Sequence, residues 1–226
     1  MTSMWMQVSV SGRAVFTRYP SPLAAGAYGH TAVTGGLTQQ QVRSREAHHE
    51  AGHAAIGMAM GLPVTGVHLF DRPASVPGAP TGTGREMEHS GHTAVGPWDG
   101  EVDVRHVLVF LAAGVRAAHR WLEEQGLDNP HSVFFNDVVG GVGDQERMTT
   151  LKTTRPILFT WGAERPPAVP PGHDHIEMAS LYTQADGLVR ACWPHITAIA
   201  HHLLTYASAD ASNLRSLHPE TLQPQD

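Results

Sequence analysis

One cysteine, Cys192, stands in 226 residues, which rules out an internal disulfide and fits a reducing cytosol better than an oxidising compartment. Its neighbours Arg190, Ala191 and Trp193 frame an ordinary helix thiol rather than a nucleophile. Long hydrophobic runs are missing too. The longest, Val107 to Val115, falls well short of the roughly 20 residues that a membrane-spanning helix needs. No basic stretch followed by an apolar one opens the chain, so no targeting segment is expected. Positive charge is scarce: 15 Lys and Arg against 21 Asp and Glu give a net charge of -6 and a pI near 6.2. A nucleic acid or an anionic membrane surface would require the opposite balance. Nor does any stretch match G-x-x-x-x-G-K-[ST], the loop that cradles nucleotide phosphates. The expectation is a soluble, cytoplasmic protein with no nucleic-acid or membrane partner and no ATP-driven motor of its own.

What the chain does have is H-E-x-x-H, at His49-Glu50-Ala51-Gly52-His53. On a helix, positions i and i+4 lie one turn apart on one face, so His49 and His53 can offer two imidazole nitrogens to one ion while Glu50 projects beside it. The flanks favour a helix over about 38–60. Thr38-Gln39-Gln40-Gln41 can start it, Ala47, Ala51, Ala54, Ala55 and Ile56 continue it, and Gly61-Leu62-Pro63 stops it. A buried helix with these polar groups and no metal would leave them without compensating bonds. The extended pattern H-E-x-x-H-x-x-G-x-x-H is excluded, because Ile56 and Ala59 stand where its glycine and third histidine belong.

The segment Ala47 to Ala54, followed by Gly61-Leu62-Pro63-Val64 and Val67-His68-Leu69, resembles the start of the M41 peptidase domain, the protease half of FtsH-type AAA proteases. In the same order, Gly91-His92-Thr93 resembles that family's Gly-x-Thr segment, and Leu111 to Ala118 its Gly-Gly-Arg-Ala-Ala-Glu helix. Gly140 to Thr149 resembles the segment whose Asn-Asp opens a helix. The similarity runs over roughly residues 40–222. His119, Val115 and Gly143 depart from it, standing for the glutamate, within the Gly-Gly-Arg run and for the asparagine, respectively.

The resemblance implies a mainly helical α+β fold with a small β element, a zincin-like bundle around the H-E-x-x-H helix. It implies Zn2+ held by His49, His53 and Asp144, with Glu50 as general base, in a metalloendopeptidase acting on unfolded or flexible polypeptide. A catalytically inactive, zinc-stabilised regulatory or interaction module is the alternative. On residues alone the third ligand stays open: an aspartate at a helix start is commonly an N-cap, and Asp137, Glu123 and Glu124 compete with Asp144. Possible partners are the polypeptide substrate, a separate ATPase or adaptor, and further copies in an oligomer. Among the other histidines of a chain of 16, His89, His92, His173 and His175 read as solvated, His201 and His202 face two sides of a helix and cannot both coordinate one ion, and His48 reads as a surface or supporting residue facing away from the His49/His53 side.

Organisation is expected as an extended arm over 1–37 with a strand at Gln7 to Val10, a domain over 38–210 and a tail over 211–226. Within the domain, Val64 to Phe70 and Thr93 to Val95 read as short strands flanking a loop at 71–92. In the relatives a strand edge beside the metal helix holds the substrate backbone. Val102 to Gln125 carries an apolar stripe at 104, 107, 108, 111, 115, 118 and 122 and reads as a helix. Residues 126–143 read as a loop, Arg165 to Gly172 as a linker, and 174–207 as one long helix bent near Pro194.

Overall fold

The computed structural model describes residues 6–10, 13–17, 36–75, 88–97, 102–161 and 168–217. Its architecture is mainly helical with small sheets, as the α+β expectation has it. No helix among the described residues is long and apolar enough to cross a membrane.

Helix α1 (Gln39–Ala59) starts where its capping chemistry starts it. The Thr38 hydroxyl accepts from Gln41 N (3.2 Å) while the Gln41 side chain accepts from Thr38 N (2.8 Å), a reciprocal box that satisfies two orphan amides. It stops at Gly61, whose φ of +75° only glycine takes readily. Every residue from Ala47 to Gly57 is buried, so α1 is the centre of the domain rather than an amphipathic cover.

Helix α2 (Val104–Glu124) is the main partner of α1. Asp103 caps it by accepting from Arg105 N at 2.8 Å, and all seven positions of the expected stripe are buried. The two helices meet at backbone distance. A Cβ at Gly52 would stand 2.5 Å from Ala117 Cβ and 2.8 Å from the Ala113 carbonyl oxygen. An antiparallel sheet lies over the other side of α1, built from β3 (Val64–Ser75) and β4 (Glu88–Val95) with the late strand β7 (Ser208–Asp210), in the order β4-β3-β7. Both long strands run further than expected: β3 continues past Phe70 and β4 begins before Thr93, leaving 76–87 of the expected loop outside the described residues.

Residues 126–143 are not a plain loop. Helix α3 (Pro130–Phe135) runs into a π-helical turn (Asn136–Gly140) and then α4 (Val142–Thr154). Two elements of one or two turns lack the length for a readable period, which is why the sequence pattern misses them. The single helix expected over 174–207 is also replaced. Strand β6 (Asp174–Glu177) pairs in parallel with β5 (Ile157–Thr160), and two helices follow, α5 (Met178–Ala191) and α6 (Trp193–Tyr206). The break falls at Cys192 because Pro194, which has no N–H, is tolerated only in a first turn. On these two helices Leu181, Ala185, Ile196, Ile199, Ala200 and Leu203 are buried, and Leu188 and Cys192 are half-buried.

At the ends, β1 (Met6–Val10) pairs antiparallel with β2 (Arg13–Thr17), adding a partner to the strand expected at Gln7 to Val10. Within the stretch read as a tail, Ala211–Ser216 forms α7, capped by Asp210 and anchored by a buried Leu214. Residues 218–226 lie outside the described residues.

The α1–α2 contact makes a direct test possible. Gly52→Val should lower unfolding free energy by about 2–3 kcal/mol in urea titrations under chelator, since the added branches must push the helices apart. Gly187→Ala on α5, where nothing lies within 4 Å of the added Cβ, should be neutral or stabilise by up to about 1 kcal/mol.

Candidate metal centre

Three side chains from two helices converge on one point. His49 and His53, one turn apart on α1, bring their Nε2 atoms to 3.0 Å from each other. Asp144, in the first turn of α4, places Oδ2 3.2 Å from His49 Nε2 and 3.1 Å from His53 Nε2. All three residues are buried, and among the described residues they are the group of His, Cys, Asp and Glu that could hold a metal ion. Two imidazole nitrogens and a carboxylate oxygen form a mixed N/O donor set of the kind that binds a first-row divalent ion.

The surroundings fix which atoms point inward. His53 Nδ1 donates to the Phe110 carbonyl of α2 at 2.7 Å, which leaves the Nε2 lone pair directed at the other two ligands. Helix α2 also supplies the wall of the site. A Cβ at Gly114 would overlap His53 Nε2 and stand 2.8 Å from His49 Nε2, so position 114 has no room for a side chain. Asp144 is delivered by the preceding turn. The Asn136 side chain donates to the Val115 carbonyl (3.0 Å) and accepts from the guanidinium of Arg45 (3.0 Å), tying the π-helical turn to α2 and α1 together. The guanidinium lies over the Phe135 ring, 5.0 Å from its centroid, and a Cβ at Gly140 would overlap it.

Electrostatics couple the ligands. Burial works to lower the basicity of His53, but the Asp144 carboxylate, helped by Glu50 and the Phe110 carbonyl, outweighs it and raises the pKa. Burial likewise opposes ionisation of Asp144, and the two histidines win, holding it well below the usual carboxylate range. Beside the triad, Glu50 is 8% exposed and its Oε2 accepts from the Thr93 hydroxyl at 2.7 Å.

The structure brings His49, His53 and Asp144 together and leaves the competing acids elsewhere. Asp137 is buried in the π-helical turn, where its backbone carbonyl accepts from the Gln145 side chain. Glu123 and Glu124 are exposed on α2, facing His119 and Arg120, and Glu124 also accepts from the Trp193 indole. His173, His175, His201 and His202 join no such group. His48 departs from the surface reading. It is 3% exposed, stacked on Trp121 (5.6 Å between centroids) and near Trp193, with Nδ1 donating to the Ser44 carbonyl. Burial pushes its pKa down to about 4, so it packs as a neutral ring. The residues that sequence reasoning left without a role are Gly114, Phe110 and the Arg45–Asn136 pair. Only the small residue at 114 inside an apolar stripe signals itself in the sequence.

No family model and no curated protein matches the chain.

Metal titration of the chelator-treated protein should give about one ion per chain, strongly weakened in Asp144→Ala and little changed in Asp137→Ala. Because a proton on His53 competes for the same lone pair and its pKa is raised, affinity should fall as pH drops through and below the histidine range. Binding near neutral pH should release up to about one proton, read by calorimetry in two buffers of different ionisation enthalpy.

Proposed function

We propose that the protein is a zinc-dependent metalloendopeptidase of M41-like type that hydrolyses peptide bonds in unfolded or flexible polypeptides. The observation that carries the reading is the placing of Glu50 next to a buried His49, His53 and Asp144 triad whose ligand atoms lie 3.0–3.2 Å apart. Ligands about 2.0–2.2 Å from one tetrahedral ion stand roughly 3.3 Å from each other, so the donor set fits zinc with little movement. When bound there, zinc supplies Lewis acidity: it lowers the pKa of water and polarises a peptide carbonyl.

The remaining chemistry belongs to the chain. His53, oriented by the Phe110 carbonyl, and His49 hold their Nε2 atoms toward Asp144. Glu50 is the base, accepting the proton of the attacking water and passing it to the leaving amine nitrogen. The purely structural alternative leaves that carboxylate without a task. Strand β4, the outer strand of the sheet β4-β3-β7, runs beside Glu50. Its edge supports an extended substrate, because pairing of main-chain amides favours polypeptide that is already unfolded and asks little of its side chains. A stable fold would have to be opened by a separate ATPase or adaptor.

Incubation of zinc-loaded protein with a disordered protein such as casein should give fragments by mass spectrometry, and chelator should abolish them. Glu50→Gln should keep its zinc and lose at least about 100-fold in cleavage rate. Full zinc occupancy with no cleavage by the wild type would favour the inactive zinc-stabilised module instead.

A further inference from the structure

We infer that Gly91 and Thr93 of β4 form a seat for the Glu50 carboxylate that divides its oxygens between two tasks: Oε2 is held by the Thr93 hydroxyl, and Oε1, over Gly91, takes the proton. The proton step rests on the peptidase reading, whereas the seat rests on geometry alone.

Alternate residues of a strand share a face, so Gly91 and Thr93 point together toward α1 while His92 points away. Thr93 is 4% exposed, and its Oγ1 lies 2.7 Å from Glu50 Oε2 and 3.1 Å from the Glu50 backbone carbonyl oxygen. A hydroxyl has one proton to give, and the charged carboxylate at the shorter distance is the stronger acceptor. Threonine is stiff at χ1, so the donor is held in place before substrate arrives. Gly91 completes the seat by what it lacks. A Cβ there would stand 2.6 Å from Glu50 Cγ and 3.0 Å from Oε1, displacing the carboxylate from its position. A glutamate with three rotatable bonds is thereby confined to one arrangement, with one oxygen engaged by the strand and the other left for proton transfer. Thr93 is a positioning residue: it acts through Glu50 and touches no reacting atom.

The test compares Thr93→Val, Thr93→Ala and Thr93→Ser with wild type, all zinc-loaded and checked for zinc content. Casein cleavage gives kcat and KM, and an N-acyl-leucine hydroxamate, whose N-hydroxyl proton needs a glutamate acceptor, gives a Kd. Val and Ala should keep the zinc and KM, lose about 10- to 100-fold in kcat, and bind the hydroxamate about tenfold more weakly. Ser should restore both values to within about threefold, which a role in packing alone would not produce. Where Val fails to fold, the smaller Ala variant carries the comparison. Wild-type kcat and hydroxamate affinity in a folded variant that lacks the hydroxyl would overturn the seat. If the wild type binds zinc yet cleaves nothing, the peptidase reading falls by itself. Hydroxamate binding then decides the seat: loss in Ala with recovery in Ser supports it, and no loss overturns it.

Discussion

The close approach of α1 and α2 is the constraint on which the rest of this structure depends. A helix buried from Ala47 to Gly57 would ordinarily be apolar all round, yet this one carries His48, His49, Glu50 and His53 into the interior. Such a helix needs partners for most of its polar groups, because each unmet buried one costs about 1–3 kcal/mol. Gly52 and Gly114 allow the backbones to come near enough for α2 to supply one. Its Phe110 carbonyl takes the His53 Nδ1 proton, and its glycine leaves space where the ligand atoms meet. The strand on the other side supplies Thr93 for Glu50, and α1 itself supplies the Ser44 carbonyl for His48. Close packing and the helix itself thus supply partners to three of the four, while His49 Nδ1 is buried without a hydrogen-bond partner.

The third ligand depends on a different device. Asp144 is far from α1 in sequence and reaches the histidines only because the π-helical turn over Asn136–Gly140 is fastened at two points. Asn136 joins the Val115 carbonyl of α2 to the Arg45 guanidinium of α1, and the next residues pass so close that Gly140 and Gly141 can carry no side chain. A π-turn is a rare way to build a helix, and such turns are frequent at functional sites. Here the turn leads into α4, whose first turn brings Asp144 to the Nε2 atoms of His49 and His53.

The legible parts of the molecule were those written in local chemistry. The Thr38–Gln41 box, the Gly61 stop and the seven-position stripe of α2 each state their element within one or two turns of sequence. His49, Glu50 and His53 are legible for the same reason, since a helix fixes their relation. Elements too short for a period, such as α3 and the π-helical turn, were hidden, as was the division of α5 from α6 at Cys192. For His48, helical geometry says only that it faces away from His49, which leaves a surface and a supporting place both open. That it meets Trp121 and Trp193 is a fact about how distant segments pack. Asp144 lies between these cases, as its placing needs a tertiary contact that Asn136 makes and the sequence around it does not declare.

Charge explains why this interior favours a cation. Close to the meeting point stand the buried carboxylates of Asp144 and Glu50, with the half-buried Arg147 guanidinium 3.9 Å from the other oxygen of Asp144. Burial makes such carboxylates expensive, because a poorly compensated ion loses its hydration and gains little from neighbours in a low-dielectric medium. Burial also lowers the pKa of Arg45, and Glu46 and Glu50 nearby work against that shift. What remains is a carboxylate 3.1–3.2 Å from two imidazoles. A positive charge among the three relieves that burial, either a proton on His53, whose basicity the Asp144 carboxylate raises, or a divalent ion in its place. The ion satisfies all three donors at once, whereas a proton can be shared along only one of the short contacts at a time, and the same burial that penalises the anion therefore favours the metal.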